Sequence, residues 1–300
     1  MANSVVWDNS LSKYKIFGSQ TPPAFSDKRR LVPDDQIESI AAVFIDVLRA
    51  TTTLVAVGAA GANGIFVDVK PKLGDYPFEP PSSLSDLGPW IYGGELNGSA
   101  VTGISASGTP VQGVIGNSPT DARRDVFHRQ YLRFFSTNGS MILQAVIDGG
   151  MPVICAMSIA NVEATVEYIL STAPDRVWLT CGGFYGAATL EDSVAAGLAI
   201  ELLIERGYAT EDQLDDEARS MLMQGRYFTS VEGILLKEEL VQKLNLAQVG
   251  QLLIGVGRKD DIRAAITGEG IEEVVRDAMI ATVLRVVPGH GPLLAPVGGM

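Results

Sequence analysis

The chain is 300 residues long, 46% hydrophobic and 19% charged, with a formal net charge of −12 at pH 7. That length fits one large domain or two moderate ones, and the apolar fraction supports a sizeable core rather than wholesale disorder. The negative balance disfavours nucleic acid and anionic membranes as partners, although a local pocket can still be positive enough for a small anion.

In chain order, 4–7 suits a short strand, Gln20-Thr21-Pro22-Pro23 a turn or loop, and Pro33-Asp34-Asp35 a helix start. A buried strand over 41–45 precedes a small-residue helix over 50–60 and a strand over 64–69. The stretch 71–89 holds five of the fifteen prolines and reads as loop. Trp90-Ile91-Tyr92 leads into Gly93-Gly94-Glu95, 101–113 is rich in glycine and serine, and Gly116-Asn117-Ser118-Pro119 forms a tight turn. Strand then alternates with helix three times: 131–135 and 140–147, 153–157 and 161–170, 177–180 and 190–206. Beyond Gly207 the pattern is helical over 211–228, 235–244, 258–267 and 271–279. Residues 249–256 fit either strand or helix, and 281–287 is a final strand before a glycine- and proline-rich tail. The alternation implies an α/β fold, a mostly parallel sheet flanked by helices. We expect a single unit over 1–300, with a C-terminal helical subdomain at about 207–280.

Cys155 and Cys181 lie in apolar runs and read as reduced core thiols of a cytoplasmic protein. Two scattered cysteines with His128 and His290 make neither a zinc site nor a histidine-rich one, so any metal is held mainly by oxygen. His128 sits in a charged stretch and His290 in the tail, and neither is assigned a catalytic role. Residues 1–10 lack the pattern of a secretory signal, and the apolar window 40–67 is broken by Asp46, Arg49 and glycines, unlike a membrane span.

Four times a buried-strand pattern runs into a polar or glycine-rich loop and then a helix start. The junctions are Asp46 to Thr53, Ser136 to Ser140, Met157 to Asn161, and Cys181-Gly182-Gly183 through Glu191-Asp192. In a doubly wound sheet such junctions line up at the carboxyl ends of the strands, where ligands bind. Helix N-termini suit an anion such as phosphate, and Asp46, Glu191 and Asp192 suit a hard divalent cation. Together they point to Mg²⁺-assisted chemistry on a phosphate ester.

Ile45-Asp46-Val47-Leu48-Arg49-Ala50-Thr51-Thr52-Thr53 resembles the opening motif of the 2-phosphosulfolactate phosphatase family. Further blocks follow in that family's order: Gly93-Gly94-Glu95, Gly116-Asn117-Ser118-Pro119, Thr137-Asn138-Gly139, Ser158 with Asn161, Leu190-Glu191-Asp192 with Gly197, Asp215-Asp216 with Ala218, and the strand ending at Val287-Pro288. The resemblance runs from about Val43 to Pro288. It implies a Mg²⁺-dependent α/β hydrolase that releases phosphate from 2-phospho-3-sulfolactate, giving 3-sulfolactate on the route to coenzyme M. Two departures stand out: Leu96-Asn97-Gly98 where the family has Arg-Gly-Gly, and Val114-Ile115 where an acidic residue usually precedes the Gly-Asn-Ser-Pro turn. The missing guanidinium means that the substrate's second anionic group differs or is held elsewhere.

A carboxylate ending a buried strand is costly unless it binds metal or is well hydrogen-bonded, so Asp46 is read as a metal ligand or catalytic acid, with a capping role as the alternative. The pattern also resembles haloacid-dehalogenase phosphatases, but those carry a second acid two residues on, where Leu48 stands. A metal-activated water is therefore preferred to an aspartyl-phosphate. Arg49 would clamp phosphoryl oxygens, or else form a surface ion pair. Thr51 and Thr52 would donate to phosphate or cap the helix. Glu95 is a metal candidate or a locally bonded loop acid. Asn117, Ser118, Thr137, Asn138 and Gly139 are turn formers expected at the substrate, while Ser158 and Asn161 bind it or cap a helix. Glu191 and Asp192 point different ways on their helix, so one reaches the metal and the other orients Arg49 or a water. Asp216 is a further candidate ligand or a helix-start charge. The expected partner is a small anionic phosphoester, with a homo-oligomer left open.

Overall fold

The computed structural model describes residues 13–68, 90–96, 99–100, 115–151, 153–230, 233–271, 282–286 and 292–296. The expected strand at 4–7, the stretches at 71–89 and 101–113, the helix at 271–279 beyond Ile271, Val114 and His290 lie outside them.

The elements in chain order begin with β1 (Ile16–Ser19), α1 (Pro22–Arg29), β2 (Ile40–Ile45), α2 (Ala50–Ala59), β3 (Gly64–Val67), β4 (Trp90–Leu96) and β5 (Ser99–Ala100). Next come α3 (Arg124–Phe127), β6 (Tyr131–Phe135), α4 (Thr137–Asp148), β7 (Val153–Met157), α5 (Val162–Thr172), β8 (Arg176–Cys181), α6 (Leu190–Glu205) and α7 (Asp216–Tyr227). The chain continues with α8 (Lys237–Leu246), α9 (Gln248–Gly255), α10 (Lys259–Thr267), β9 (Thr282–Val286) and β10 (Pro292–Pro296).

The strands form one sheet in the order β1-β8-β2-β7-β9-β10-β3-β6-β4-β5. It contains two parallel blocks, β1-β8-β2-β7 and β3-β6-β4, joined through the antiparallel β9–β10 hairpin. Three antiparallel steps separate β7 from β3, so along the ladder the second block runs opposite to the first.

Strand alternation puts a core on each face. From β2, Ala42 and Phe44 join a cluster with Trp178, Phe25 of α1, Leu54 of α2 and Leu143 of α4. Val43 and Ile45 face the other way, into a cluster with Val194 and Ala199 of α6, Met221 of α7, Leu244 of α8 and Ile262 of α10. No helix among the described residues is long and apolar enough to cross a membrane.

Several elements depart from the expectations. The prolines at 22 and 23 open α1 instead of forming a loop: Thr21 caps it, its side chain accepting from Ala24 N at 3.3 Å, and proline is tolerated in a first turn because those N–H groups have no helical partner. Pro33-Asp34-Asp35 leads only into a 3-10 turn, Asp34–Ser39. The ambiguous segment at 249–256 is helical, as α9. The strand at 281–287 is not the last, because β10 returns to pair with both β9 and β3. Asn138 and Gly139 stand within the first turn of α4, which begins at Thr137 rather than at Ser140.

Candidate active site

Asp46 lies just past β2 and is 4% exposed. Its Oδ1 accepts from Ala50 N at 3.3 Å, so one oxygen makes a long capping bond to α2. Two glycine backbones crowd the carboxylate. A methyl group on Gly139 would sit 3.0 Å from Asp46 Oδ2 and 2.6 Å from Ala50 Cβ, and one on Gly182 would sit 3.3 Å from the same oxygen. Gly139 lies in the segment after β6 and Gly182 in the segment after β8, so one residue from each block packs against Asp46.

Glu191 and Asp192 occupy the first turn of α6, each 2% exposed. They divide the work. Asp192 Oδ1 accepts from Val47 N at 2.8 Å and Oδ2 from Gly183 N at 3.0 Å, which fastens the loops after β2 and β8 together. Glu191 Oε2 is buried with no hydrogen-bond partner among the described residues. Glu95, near the end of β4 and 9% exposed, accepts from Thr137 N at 2.9 Å and so ties β4 to the start of α4. Before it, Gly94 has φ +121°, and a Cβ there would fall 1.8 Å from Phe135 O, so only glycine fits.

These acids sit in one field. Burial, then the Asp192 charge, pushes Asp46 up to about 8, with Glu95 adding to the rise and the Ala50 N–H and Arg49 opposing it. Burial and then Asp192 likewise push Glu191 up to about 8. Burial raises Asp192 less, to about 6, because the Val47 and Gly183 N–H groups stabilise its charged form. Burial of this kind favours the neutral form of a carboxyl group unless an opposite charge or hydrogen bonds offset it. Among the described residues, no three His, Cys, Asp or Glu side chains already stand as a ligand set.

The remaining expected residues divide. Asn117 is 5% exposed and its Nδ2 is 3.4 Å from Ser136 Oγ, while Asn117 Oδ1 and Asn138 Oδ1 are buried acceptors without a partner among the described residues. Thr51 Oγ1 donates to Asp46 O at 2.8 Å and Thr52 Oγ1 to Val47 O at 2.7 Å, so both hydroxyl protons serve the loop rather than a bound phosphate. Ser158 and Asn161 form a capping box: Ser158 N donates to Asn161 Oδ1 at 2.8 Å and Ala160 N to Ser158 Oγ at 3.2 Å. Arg49 is ion-paired with Asp261 at 2.8 Å rather than with Asp192. Asp216 is exposed. Its neighbour Asp215 is the buried one, capping α7 through Ala218 N and pairing with Lys28 at 2.6 Å. The structure therefore gathers Asp46, Glu95, Glu191, Asp192, Thr137 and Gly139, and leaves Asp216 apart. Sequence reasoning missed Asp261, whose Lys259-Asp260-Asp261 setting looks like an ordinary helix start, and named Ser136 only as the start of a junction.

Buried acids and helix N-termini gather at strand ends of this α/β sheet, the kind of position where ligands bind in such folds. The family described as 2-phosphosulpholactate phosphatase matches residues 27–276. The chain belongs to this family, whose members are phosphoric monoester hydrolases. It is similar to a protein of Synechocystis sp. (strain ATCC 27184 / PCC 6803 / Kazusa) named "Probable 2-phosphosulfolactate phosphatase", 31% identical over 269 residues, 86% of this chain and 94% of that protein. A protein of the same name from Cyanothece sp. (strain PCC 7425 / ATCC 29141) is 30% identical over 253 residues, 83% of this chain and 90% of its own length.

Proposed function

We propose that the chain hydrolyses 2-phospho-3-sulfolactate to 3-sulfolactate and phosphate, in a Mg²⁺-dependent reaction at Asp46. The family supports the substrate. The observation that carries the site is the set of buried acids around Asp46, two of them raised to about 8, with Glu191 Oε2 lacking a partner among the described residues.

The donor set fits Mg²⁺: it is all oxygen, buried and short of positive charge. Asp46, Glu95 and Glu191 are the residues to hold it, since both oxygens of Asp192 are engaged by backbone N–H groups. Bound Mg²⁺ would supply Lewis-acid polarisation of the phosphoryl oxygens and a lowered pKa for a bound water. The chain's own residues do the rest. Arg49 and the first-turn amides of α4 neutralise the phosphoryl oxygens. One proton of the attacking water passes to Asp46, the water oxygen keeps the other and forms the new P–O bond, the ester P–O bond breaks, and the departing alkoxide is protonated from solvent. Asp192 holds the two loops in register while Gly139 and Gly182 let substrate atoms approach Asp46 closely. The free, buried Cys155 and Cys181 suit a reducing, cytoplasmic setting.

The test is a substrate panel in Mg²⁺: 2-phosphosulfolactate, phospholactate and p-nitrophenyl phosphate. The expected result is a kcat/KM for 2-phosphosulfolactate that exceeds the aryl phosphate by orders of magnitude. Selective release from another ester would overturn the substrate and keep the chemistry, and no release from any ester would leave an anion-binding relative.

A further inference from the structure

Asp261 is a buried carboxylate that the mechanism above does not use. It occupies the third position of α10 beside Asp260, and the two diverge: Asp260 is exposed and Asp261 is 1% exposed. A helix-start acid gains from the helix dipole without any burial, whereas burying a charge is costly unless it is paired and hydrogen-bonded. Among the described residues, the side-chain partners of Asp261 lie on the β2–α2 junction and the turn after Gly116. Its Oδ2 accepts from Arg49 Nη1 at 2.8 Å, and its Oδ1 accepts from Ser118 Oγ at 2.5 Å and Thr120 Oγ1 at 3.1 Å.

Those partners come from both blocks. Arg49 lies on the β2–α2 junction with Asp46, and its side chain is 12% exposed. Ser118 adjoins Asn117, which reaches Ser136 beside the start of α4. One carboxylate from the C-terminal helices thus pins the loops on either side of the buried acids. The pairing engages one Nη of Arg49, a guanidinium carries five donors in a rigid fork, and the others meet no partner among the described residues, so they can serve phosphoryl oxygens.

We propose that Asp261 is a positioning residue for phosphoryl recognition, holding the Arg49 guanidinium and the turn from Gly116 to Thr120 in the orientation that meets the phosphoryl group. Preorganisation of this kind acts on the transition state, because the charge is already in place when the phosphoryl oxygens need it. The proposal rests on the phosphatase reading for its kinetic consequence, but its binding consequence does not need turnover.

The experiment compares wild type, Asp261→Asn, Arg49→Lys and the double variant by steady-state kinetics on 2-phosphosulfolactate and by calorimetric affinity for inorganic phosphate. Asp261→Asn is expected to lower kcat about tenfold or more, with KM within about threefold. It is also expected to weaken phosphate binding by about fivefold or more while unfolding stays cooperative. In the double variant the losses do not multiply, because both single changes disable one unit. Should Asp261→Asn not fold, Asp261→Glu keeps the charge but displaces it by one methylene, and a fall in kcat in the same direction is expected. Values of kcat/KM and phosphate affinity within about twofold of wild type, or losses that multiply in the double variant, would overturn the proposal. If wild type binds phosphate yet hydrolyses no ester, the functional reading fails and the phosphate affinities alone decide for or against Asp261. If wild type neither binds phosphate nor hydrolyses an ester, both fail.

Discussion

The two parallel blocks of the sheet bring different materials to the same place. The block containing β2 and β8 delivers charge: Asp46, Arg49, Glu191 and Asp192 all follow its strands. The block containing β4 and β6 delivers one acid, Glu95, together with amides and a close-approach glycine: Asn138 and Gly139, with Asn117 alongside. One side concentrates unlike and like charges in a buried setting, and the other closes over it with backbone. Function at such a site depends on both, but the two sides should fail differently when altered.

The charged side should fail in chemistry. Asp46→Asn preserves shape and removes the carboxyl group that would hold the metal and take the proton, so the variant is expected to fold and to lose kcat by roughly 10²–10⁴-fold. Phosphate release and thermal unfolding, measured on the same preparation, check this; near wild-type turnover would remove Asp46 from the mechanism.

The backbone side should fail in packing as well. Gly139→Ala forces a methyl group to within 2.6 Å of Ala50 Cβ and 3.0 Å of Asp46 Oδ2. Overpacking of this sort costs about 1–3 kcal/mol, and urea denaturation should show it together with a fall in kcat. A fully stable and active Gly139→Ala variant would mean that the two blocks do not close on each other as described.

Burial and then the Asp192 charge push Asp46 and Glu191 up to about 8 in the folded chain, from ordinary values of 3.8 and 4.5. Between those limits the folded state binds more protons than the unfolded state, so metal-free stability falls as pH rises from about 4 to about 8. Thermal unfolding in EDTA should therefore give a lower Tm near pH 8 than near pH 5, and Mg²⁺ should raise Tm more at the higher pH. A Tm in EDTA that rises across this range would contradict the buried-acid description. The smallest effect belongs to Asp216→Asn: the residue is exposed, and both kcat and Tm should stay near wild type, as kinetic and thermal measurements on the variant would show.

The charged block was legible in the sequence because an acid at the end of an apolar run is chemically conspicuous: Asp46 after Ile40–Ile45 has few reasons to be there. The glycine-rich block was legible only as turns, since Asn138 and Gly139 look the same whether they cap, turn or open a helix. Asp261 left no signal, because only tertiary packing distinguishes it from exposed Asp260. Between Asp215 and Asp216 a single position decides which acid caps α7 and which faces solvent, and periodicity does not resolve one position. The prolines that open α1 and those that bound β10 act through context as well, the first by occupying a helix's unpaired first turn and the second by standing at the ends of a hairpin strand.

The most direct test of the central claim is phosphate release from 2-phosphosulfolactate by chelator-stripped protein, followed through the addition of Mg²⁺. The account predicts negligible release before the metal and fast release after it. Equal release with and without the metal would show that the buried acids around Asp46 do their work without a cation and would contradict the mechanism built on them.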